Sequence, residues 1–277
     1  YLQQLYRRAL DYVDAYPGGL GNGNLFLYLR QISFTFIETA GGITYGEFLQ
    51  KLLLRFAPEI FCHSLTVGTG AKVLCDIIMA DDPTFFDDIG FIAETGGPEE
   101  KRRAVLRYAM GCGLFHDVGK ISVIELYSRT PRQWFEAEYE MARLHTLSGR
   151  ILLEPCPSTS RYADAAQGHH IWYDGSRGYP SAYKRLECPA RQMVDVIALV
   201  NWLEERTGPS PMYGGGETFG EAVQAAVELE GRRFSPLLTA LLRDGGVVER
   251  LERAFAQGRQ DAYRLVYSDA RRTAARN

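Results

Sequence analysis

The sequence predicts an all-α protein built as a helical bundle. Apolar residues recur at helical spacing in successive segments, and proline or a capping motif begins several of these segments. No stretch shows the period-2 alternation that is typical of a strand. With 277 residues, of which 46% are hydrophobic and 23% charged, the chain is long enough to bury a sizeable core.

The start and stop signals place the helices in order along the chain. Helices are predicted over residues 1–16, 25–39, 45–56, about 58–79, 98–117, 159–168 and 192–205. A capping box with proline at its second position, Thr130-Pro131-Arg132-Gln133, predicts a further helix that reaches residue 145. Residues 17–23 and 171–190 predict loops, and residues 81–97 a loop or short helix. Thr218-Phe219-Gly220-Glu221 and Ser235-Pro236 predict the N-termini of the last core helices.

Composition limits the class of protein. The net charge of −3 provides no general attraction to nucleic acid or anionic membranes, so no DNA binding is expected. No apolar stretch reaches the roughly 20 residues of a membrane span. Five scattered cysteines predict reduced thiols in a cytoplasmic protein. The missing initiator Met predicts a fragment, with a helical extension over residues 1–55, a main domain over 56–268 and a basic tail over 269–277.

Residues 111–121 contain the clearest chemical signal, because His116 and Asp117 stand side by side with Lys120 close behind. An imidazole and a carboxylate can together hold a divalent metal, and a lysine beside them suits a phosphate. The other histidines also lie at or near the ends of predicted helices, and they are His63, His145, His169 and His170.

Converging helix ends would bring these histidines together. Glu59 and His63 are four residues apart and share one helix face, so Glu59 and Asp117 are candidate oxygen ligands. Mixed imidazole and carboxylate ligation suits Fe, Mn, Zn or Co in a two- or three-metal site. The alternative is that one or two of the histidines are ordinary core or surface residues.

Three sequence blocks resemble the HD-GYP branch of the HD phosphohydrolases. They are His116-Asp117-Val118-Gly119-Lys120-Ile121, His145 with Gly149 four residues on, and His169-His170-x-Trp172-Tyr173-Asp174-Gly175-Ser176-Arg177-Gly178-Tyr179-Pro180. The resemblance covers about residues 55–268 and implies an HD-domain helical bundle with a metal centre in its core. It implies a metal-dependent phosphodiesterase that hydrolyses a cyclic dinucleotide, usually cyclic di-GMP, by attack of a metal-activated hydroxide.

The resemblance also implies roles for individual residues. The metal-ligand positions are Glu59, His63, His116, Asp117, His145, His169, His170 and Asn201. Asp117 and Lys120 are implied to be catalytic, and Lys120, Tyr179 and Arg177 are implied to contact the substrate. The implied cofactors are two or three divalent ions, Fe or Mn, with Zn, Co or Ni as alternatives. A homodimer and an attached sensor or receiver domain are left open.

Two departures from the family pattern keep other functions open. Asn201 stands where the family has an aspartate ligand, and Asp195 is six residues or about 1.7 turns away, so it points elsewhere. The segment 209–217 lacks the family's basic residues, for which Arg206 and Arg177 are candidate substitutes. A signalling module that binds metal or nucleotide without turnover, or a phosphohydrolase for another nucleotide, is therefore the alternative. Glu204 is interpreted, with its neighbour, as part of a solvated face.

Overall fold

Eleven α-helices that are described over their full length pack into an all-helical bundle. The computed structural model describes residues 4, 7–8, 30–38, 42–124, 126, 133–208 and 216–274. No strand occurs in these ranges, where the only β-type pairing is an isolated bridge between Glu230 and Phe234. The predicted fold class is confirmed.

The helices are numbered here in chain order. They are α1 Tyr45–Phe56, α2 Pro58–Asp81, α3 Gly90–Ala93, α4 Pro98–Phe115, α5 Glu136–Arg143, α6 His145–Leu153, α7 Ala163–Gly168, α8 Arg191–Thr207, α9 Phe219–Glu228, α10 Pro236–Leu241 and α11 Gly245–Ala274. Short 3₁₀ turns occupy Val118–Val123, Ser160–Tyr162 and Arg185–Glu187. Among the helices described, none is both long and apolar enough to cross a membrane.

Local sequence signals determine several of the helix starts. Pro58, Pro98 and Pro236 are the first residues of α2, α4 and α10, a position where the N–H that proline lacks would have no helical partner. Thr218 caps α9, because its hydroxyl accepts from the Glu221 N–H at 3.2 Å and its own N–H donates to the Glu221 carboxylate at 2.8 Å. These predicted helix starts are confirmed.

Some predicted elements lie outside the described residues. These are most of the helix over 1–16, the loop over 17–23, the first three residues of the capping box at 130–133, and residues 209–215 of the segment that lacks basic side chains. Residues 30–35 are helical, within the helix predicted over 25–39. At the other end α11 continues through Ala274, so Arg271 and Arg272 lie in its last turn. The division into extension, main domain and tail stays a prediction.

Two apolar clusters form the core, and the predicted ligands lie where the chain passes from one cluster to the other. In α2, Phe61 belongs to one cluster, whereas the residues from 67 onwards belong to the other, and His63 falls between them. In α4, Cys112 and Phe115 belong to different clusters, and His116 follows directly. Burial of the two clusters therefore fixes the segments that present these imidazoles.

Candidate metal centre

Five histidines, one aspartate and one asparagine converge on a single buried region from five segments of the chain. They are His63 in α2, His116 and Asp117 after α4, His145 at the start of α6, His169 and His170 after α7, and Asn201 in α8. Helix ends supply most of these side chains, as the sequence predicts. A 3₁₀ turn over Val118–Val123 follows Asp117 directly, so this carboxylate lies at the junction between α4 and that turn.

The first group contains His63, His116 and Asn201, arranged around Oδ2 of Asp117. The Nε2 atoms of His63 and His116 are 3.1 Å apart, and Asn201 Oδ1 lies 2.9 Å and 3.1 Å from them. Asp117 Oδ2 lies 3.2 Å from the first nitrogen and 3.3 Å from the second. Ligand atoms about 2.1 Å from one ion lie roughly 3.0–3.4 Å from each other, so these spacings suit a divalent cation.

The second group contains His145, His169 and His170, next to Oδ1 of Asp117. Each of the three offers a ring nitrogen, and the three nitrogens lie within 4.8 Å of one another. The Nε2 atoms of His145 and His169 are 3.3 Å apart, and they lie 3.3 Å and 3.7 Å from Asp117 Oδ1. Neutral imidazoles together with one carboxylate oxygen are donors that are typical of Fe, Mn, Zn or Co sites.

Asp117 connects the two groups, because its two carboxylate oxygens face different sets of histidines. The residue is only 1% exposed, and its Oδ1 has no hydrogen-bond partner among the described residues. A buried carboxylate oxygen without a donor is costly unless a cation neutralises it. The residues present therefore fit divalent metal ions bound next to this carboxylate.

Hydrogen bonds to the outer ring nitrogens set the tautomers of three histidines. Nδ1 of His116 donates to the Gly113 carbonyl at 2.7 Å, and Nδ1 of His145 donates to the Ala142 carbonyl at 2.7 Å. Nδ1 of His169 likewise donates to backbone carbonyls one turn earlier, at 3.0 Å and 3.1 Å. Because a carbonyl oxygen only accepts, Nδ1 carries the proton and Nε2 directs a lone pair into the centre. This orientation is the one that metal ligation requires.

Burial keeps the histidines of the second group neutral. It lowers the pKa of His145 to about 4, and it holds the pKa values of His169 and His170 well below the usual range, with a further contribution from the neighbouring imidazoles. Only the neutral imidazole coordinates a metal ion. All three are therefore ready to bind at neutral pH.

Carboxylates dominate the electrostatics of the first group. Burial opposes a charge on His63, but Glu204 and Asp117 outweigh it and raise the pKa of His63 to about 10. Burial would likewise raise the pKa of Asp117, but Lys120 and His116 hold it well below its usual range. Nζ of Lys120 donates to Asp117 Oδ2 at 2.5 Å, which places a cation at the edge of this group.

Two acidic residues considered in the sequence analysis are not members of either group. Glu59 is exposed in the first turn of α2, and the metal-type groups found within the described ranges do not include it. Asp195 forms a buried ion pair with Arg185 and points away from the centre, as its helical position predicts. Asn201, in contrast, faces the first group directly.

The interpretation of Glu204 as part of a solvated face is wrong. Glu204 is 6% exposed, and its Oε2 lies 2.5 Å from His63 Nδ1. Its position three residues after Asn201 puts both side chains on one face of α8, which is the signal that would have identified it. Arg259 in α11 donates to the other Glu204 oxygen at 3.2 Å.

The loop after the paired histidines lies against the second group. The Tyr179 ring stacks on His170 with ring centroids 4.5 Å apart, and the Arg143 guanidinium lies 5.7 Å from the Tyr179 ring centroid. Gly178 has a φ of 103°, and a Cβ there would lie 2.1 Å from the His170 carbonyl oxygen, so only glycine fits. Arg177 is exposed and stacks on Trp172 at 5.2 Å.

Gly119 permits the close crossing that brings His145 to Asp117. A Cβ on Gly119 would lie 1.9 Å from the His145 carbonyl oxygen and 2.3 Å from the Gly149 amide nitrogen. Both neighbours are backbone atoms, which no side-chain rotation can move. The 3₁₀ turn and α6 can therefore approach this closely only with glycine at this position.

Replacing Gly119 by alanine should destabilise the metal-free protein by about 1–3 kcal/mol or more, because the methyl group overlaps backbone. Urea unfolding followed by circular dichroism measures the change. The matched control is Gly220→Ala in the first turn of α9, where a Cβ meets nothing within 4 Å. The control should gain roughly 0.4–1 kcal/mol, because alanine restricts the unfolded chain more than glycine does. Equal stability of the Gly119 variant and wild type would contradict the tight crossing.

Fold and site together define an all-helical protein whose buried histidines form two groups joined by one aspartate. Searches against protein-family models and against curated proteins found no match. The donor set and its geometry are thus the basis for assigning a function.

Proposed function

We propose that the chain is a metal-dependent phosphodiesterase of the HD-GYP type that hydrolyses a cyclic dinucleotide, with cyclic di-GMP as the first candidate. The single observation that supports this most strongly is Asp117, whose two oxygens each face a separate histidine group. Two metal ions that share a carboxylate are a recurrent arrangement in phosphate-ester hydrolysis. The sequence blocks that resemble the HD-GYP family point to the same activity.

The chain's own residues would hold two ions. His63, His116 and Asn201 would bind one, and the three histidines of the second group would bind the other, with Asp117 between them. When bound, divalent cations would supply Lewis-acid activation of the phosphodiester and lower the pKa of a coordinated water toward neutrality. Fe or Mn suits this mixture of imidazole and carboxylate donors.

Lys120 would contribute a positive charge beside the reacting phosphate. Its ammonium is half-buried and is held by Asp117 at 2.5 Å, so it is already oriented before substrate arrives. As the phosphodiester is hydrolysed, water adds across one P–O bond and negative charge grows on the phosphoryl oxygens. A fixed cation in a site with little water stabilises that charge more strongly than one in bulk solvent.

Aromatic and basic side chains beside the second group suit a nucleotide. Tyr179 offers a half-buried ring, and Arg143 brings a guanidinium to the same place from the last turn of α5. Nucleobases stack on aromatic rings, and guanidinium groups bind phosphate oxygens through two parallel hydrogen bonds. Arg177 is exposed on the same loop and adds a further positive charge.

Hydrolysis of cyclic di-GMP by the purified chain tests the proposal. The protein is loaded anaerobically with Fe(II) or Mn(II), and metal content is measured on the sample that is assayed. Opening of one phosphodiester yields a linear dinucleotide, and cleavage of both yields mononucleotides, which chromatography separates. Metal-dependent formation of either product supports the proposal. Full metal loading without turnover of any cyclic dinucleotide contradicts it.

A second candidate is a signalling module that binds metal and nucleotide without turnover. Asn201 favours it, because its neutral amide oxygen stands in the first group where a carboxylate would bind an ion more strongly. For such a module, cyclic di-GMP binding would be detected by calorimetry while the chromatogram stays unchanged. Turnover of another nucleotide in a parallel substrate panel would instead identify a phosphohydrolase of different specificity.

A further inference from the structure

Glu204 occupies an unusual position beside the first group. Its carboxylate is buried between His63 and Arg259, with Oε2 2.5 Å from the His63 Nδ1 and Oε1 3.2 Å from the arginine Nε. The arginine also donates to Thr207 Oγ1 at 2.9 Å, which fixes the guanidinium against α8. The imidazole, carboxylate and guanidinium therefore form a continuous chain from the metal-type group to α11.

His63 needs a partner of this kind because it lies inside a long helix. The outer nitrogens of His116, His145 and His169 reach backbone carbonyls near helix ends. Within α2, in contrast, the carbonyls near His63 are already engaged in the helix. A side chain from another helix is the remaining way to fix the His63 ring, and Glu204 supplies it.

Charge is the second reason for assigning a role to Glu204. Asn201 carries no charge, so Asp117 is the one carboxylate that faces the first group directly within the described chain. The Glu204 carboxylate brings a second negative charge close to that group, because it contacts the outer ring nitrogen of His63. A carboxylate on the outer nitrogen makes a histidine a more basic ligand and fixes its ring orientation.

We propose that Glu204, held in place by Arg259, is a positioning residue for the metal ion of the first group. It orients the His63 ring so that Nε2 faces Asn201 and Asp117, and it provides charge that the asparagine lacks. This inference rests on the proposed metal centre. It predicts that the two ions respond differently to a change at position 204, because no comparable carboxylate contact reaches the second group in the described residues.

The substitution Glu204→Gln tests this role, since glutamine keeps the size and one oxygen but removes the charge. The matched control is Glu205→Gln on the neighbouring, partly exposed residue. Metal-free protein is titrated with Mn(II), free ion is quantified, and the bound ions are observed by electron paramagnetic resonance. We expect one ion to bind roughly 10–100-fold more weakly in Glu204→Gln, while the other keeps its wild-type affinity.

The resonance spectrum separates this role from a general loss of structure. Wild type and Glu205→Gln should show an exchange-coupled pair at two equivalents of Mn(II), whereas Glu204→Gln should show an isolated ion. If Glu204→Gln does not fold, Arg259→Gln removes the contact that holds the carboxylate and should give the same selective weakening to a smaller degree. Two ions bound as in wild type would overturn the role of Glu204. A wild-type protein that binds no Mn(II) or Fe(II) would contradict the metal centre itself.

Discussion

Replacing Asp117 by alanine should abolish binding of both metal ions and reduce phosphodiester hydrolysis below detection. The two oxygens of Asp117 lie within 3.2–3.7 Å of four histidine Nε2 atoms, two in each group. Alanine has neither carboxylate oxygen, so the negative charge and the contacts with both histidine groups are lost together. One substitution thus removes a ligand from both ions.

Loss of both metal ions distinguishes this result from the loss of a residue that binds only one of them. Asp164→Ala is a suitable control, because Asp164 is a partly exposed carboxylate that pairs with Arg150. Metal analysis after exhaustive dialysis, together with the cyclic di-GMP assay, should give two ions and turnover for the control and neither for Asp117→Ala. Retention of one tightly bound ion in Asp117→Ala would show that the aspartate belongs to a single group and does not bridge.

Most of the fold could be predicted because its signals are local. First-turn prolines and the Thr218 capping box determine where α2, α4, α9 and α10 begin, and they do so through bonds within one helical turn. The position of most of the histidines at helix ends is equally visible in the sequence. Convergence of those ends then follows from burial of two apolar clusters.

The parts of the site that sequence reasoning missed depend on how helices are placed along one another. Periodicity places Glu59 and His63 on one face of α2, but it does not tell which of the two is covered by other helices, and Glu59 is exposed. The sequence predicts a solvated position for Glu204, next to Glu205. Its burial depends on α11, whose Arg259 arrives from 55 residues away in the chain. Local sequence patterns cannot identify a partner that lies so far along the chain.

Replacing Asn201 by aspartate should strengthen binding of the first-group ion by roughly 100-fold, about 2.7 kcal/mol. Two opposite unit charges 4 Å apart attract each other by about 4 kcal/mol at an effective dielectric constant of 20, and the attraction is stronger for a divalent ion. Desolvation of the new carboxylate offsets part of the gain. Asn201 Oδ1 already lies 2.9 Å and 3.1 Å from the two histidine nitrogens, so the aspartate needs no rearrangement to act as a ligand.

The same variant decides between the enzyme and the signalling module. If the missing carboxylate limits catalysis, Asn201→Asp should raise turnover of cyclic di-GMP together with metal affinity, and Asn201→Ala should lower both. Metal affinity is measured by competition with a chelator, and turnover is measured at saturating metal. Higher affinity with no turnover in either protein would favour the module. An affinity equal to wild type would show that the amide oxygen of Asn201 does not limit metal binding, despite its place among the histidine nitrogens.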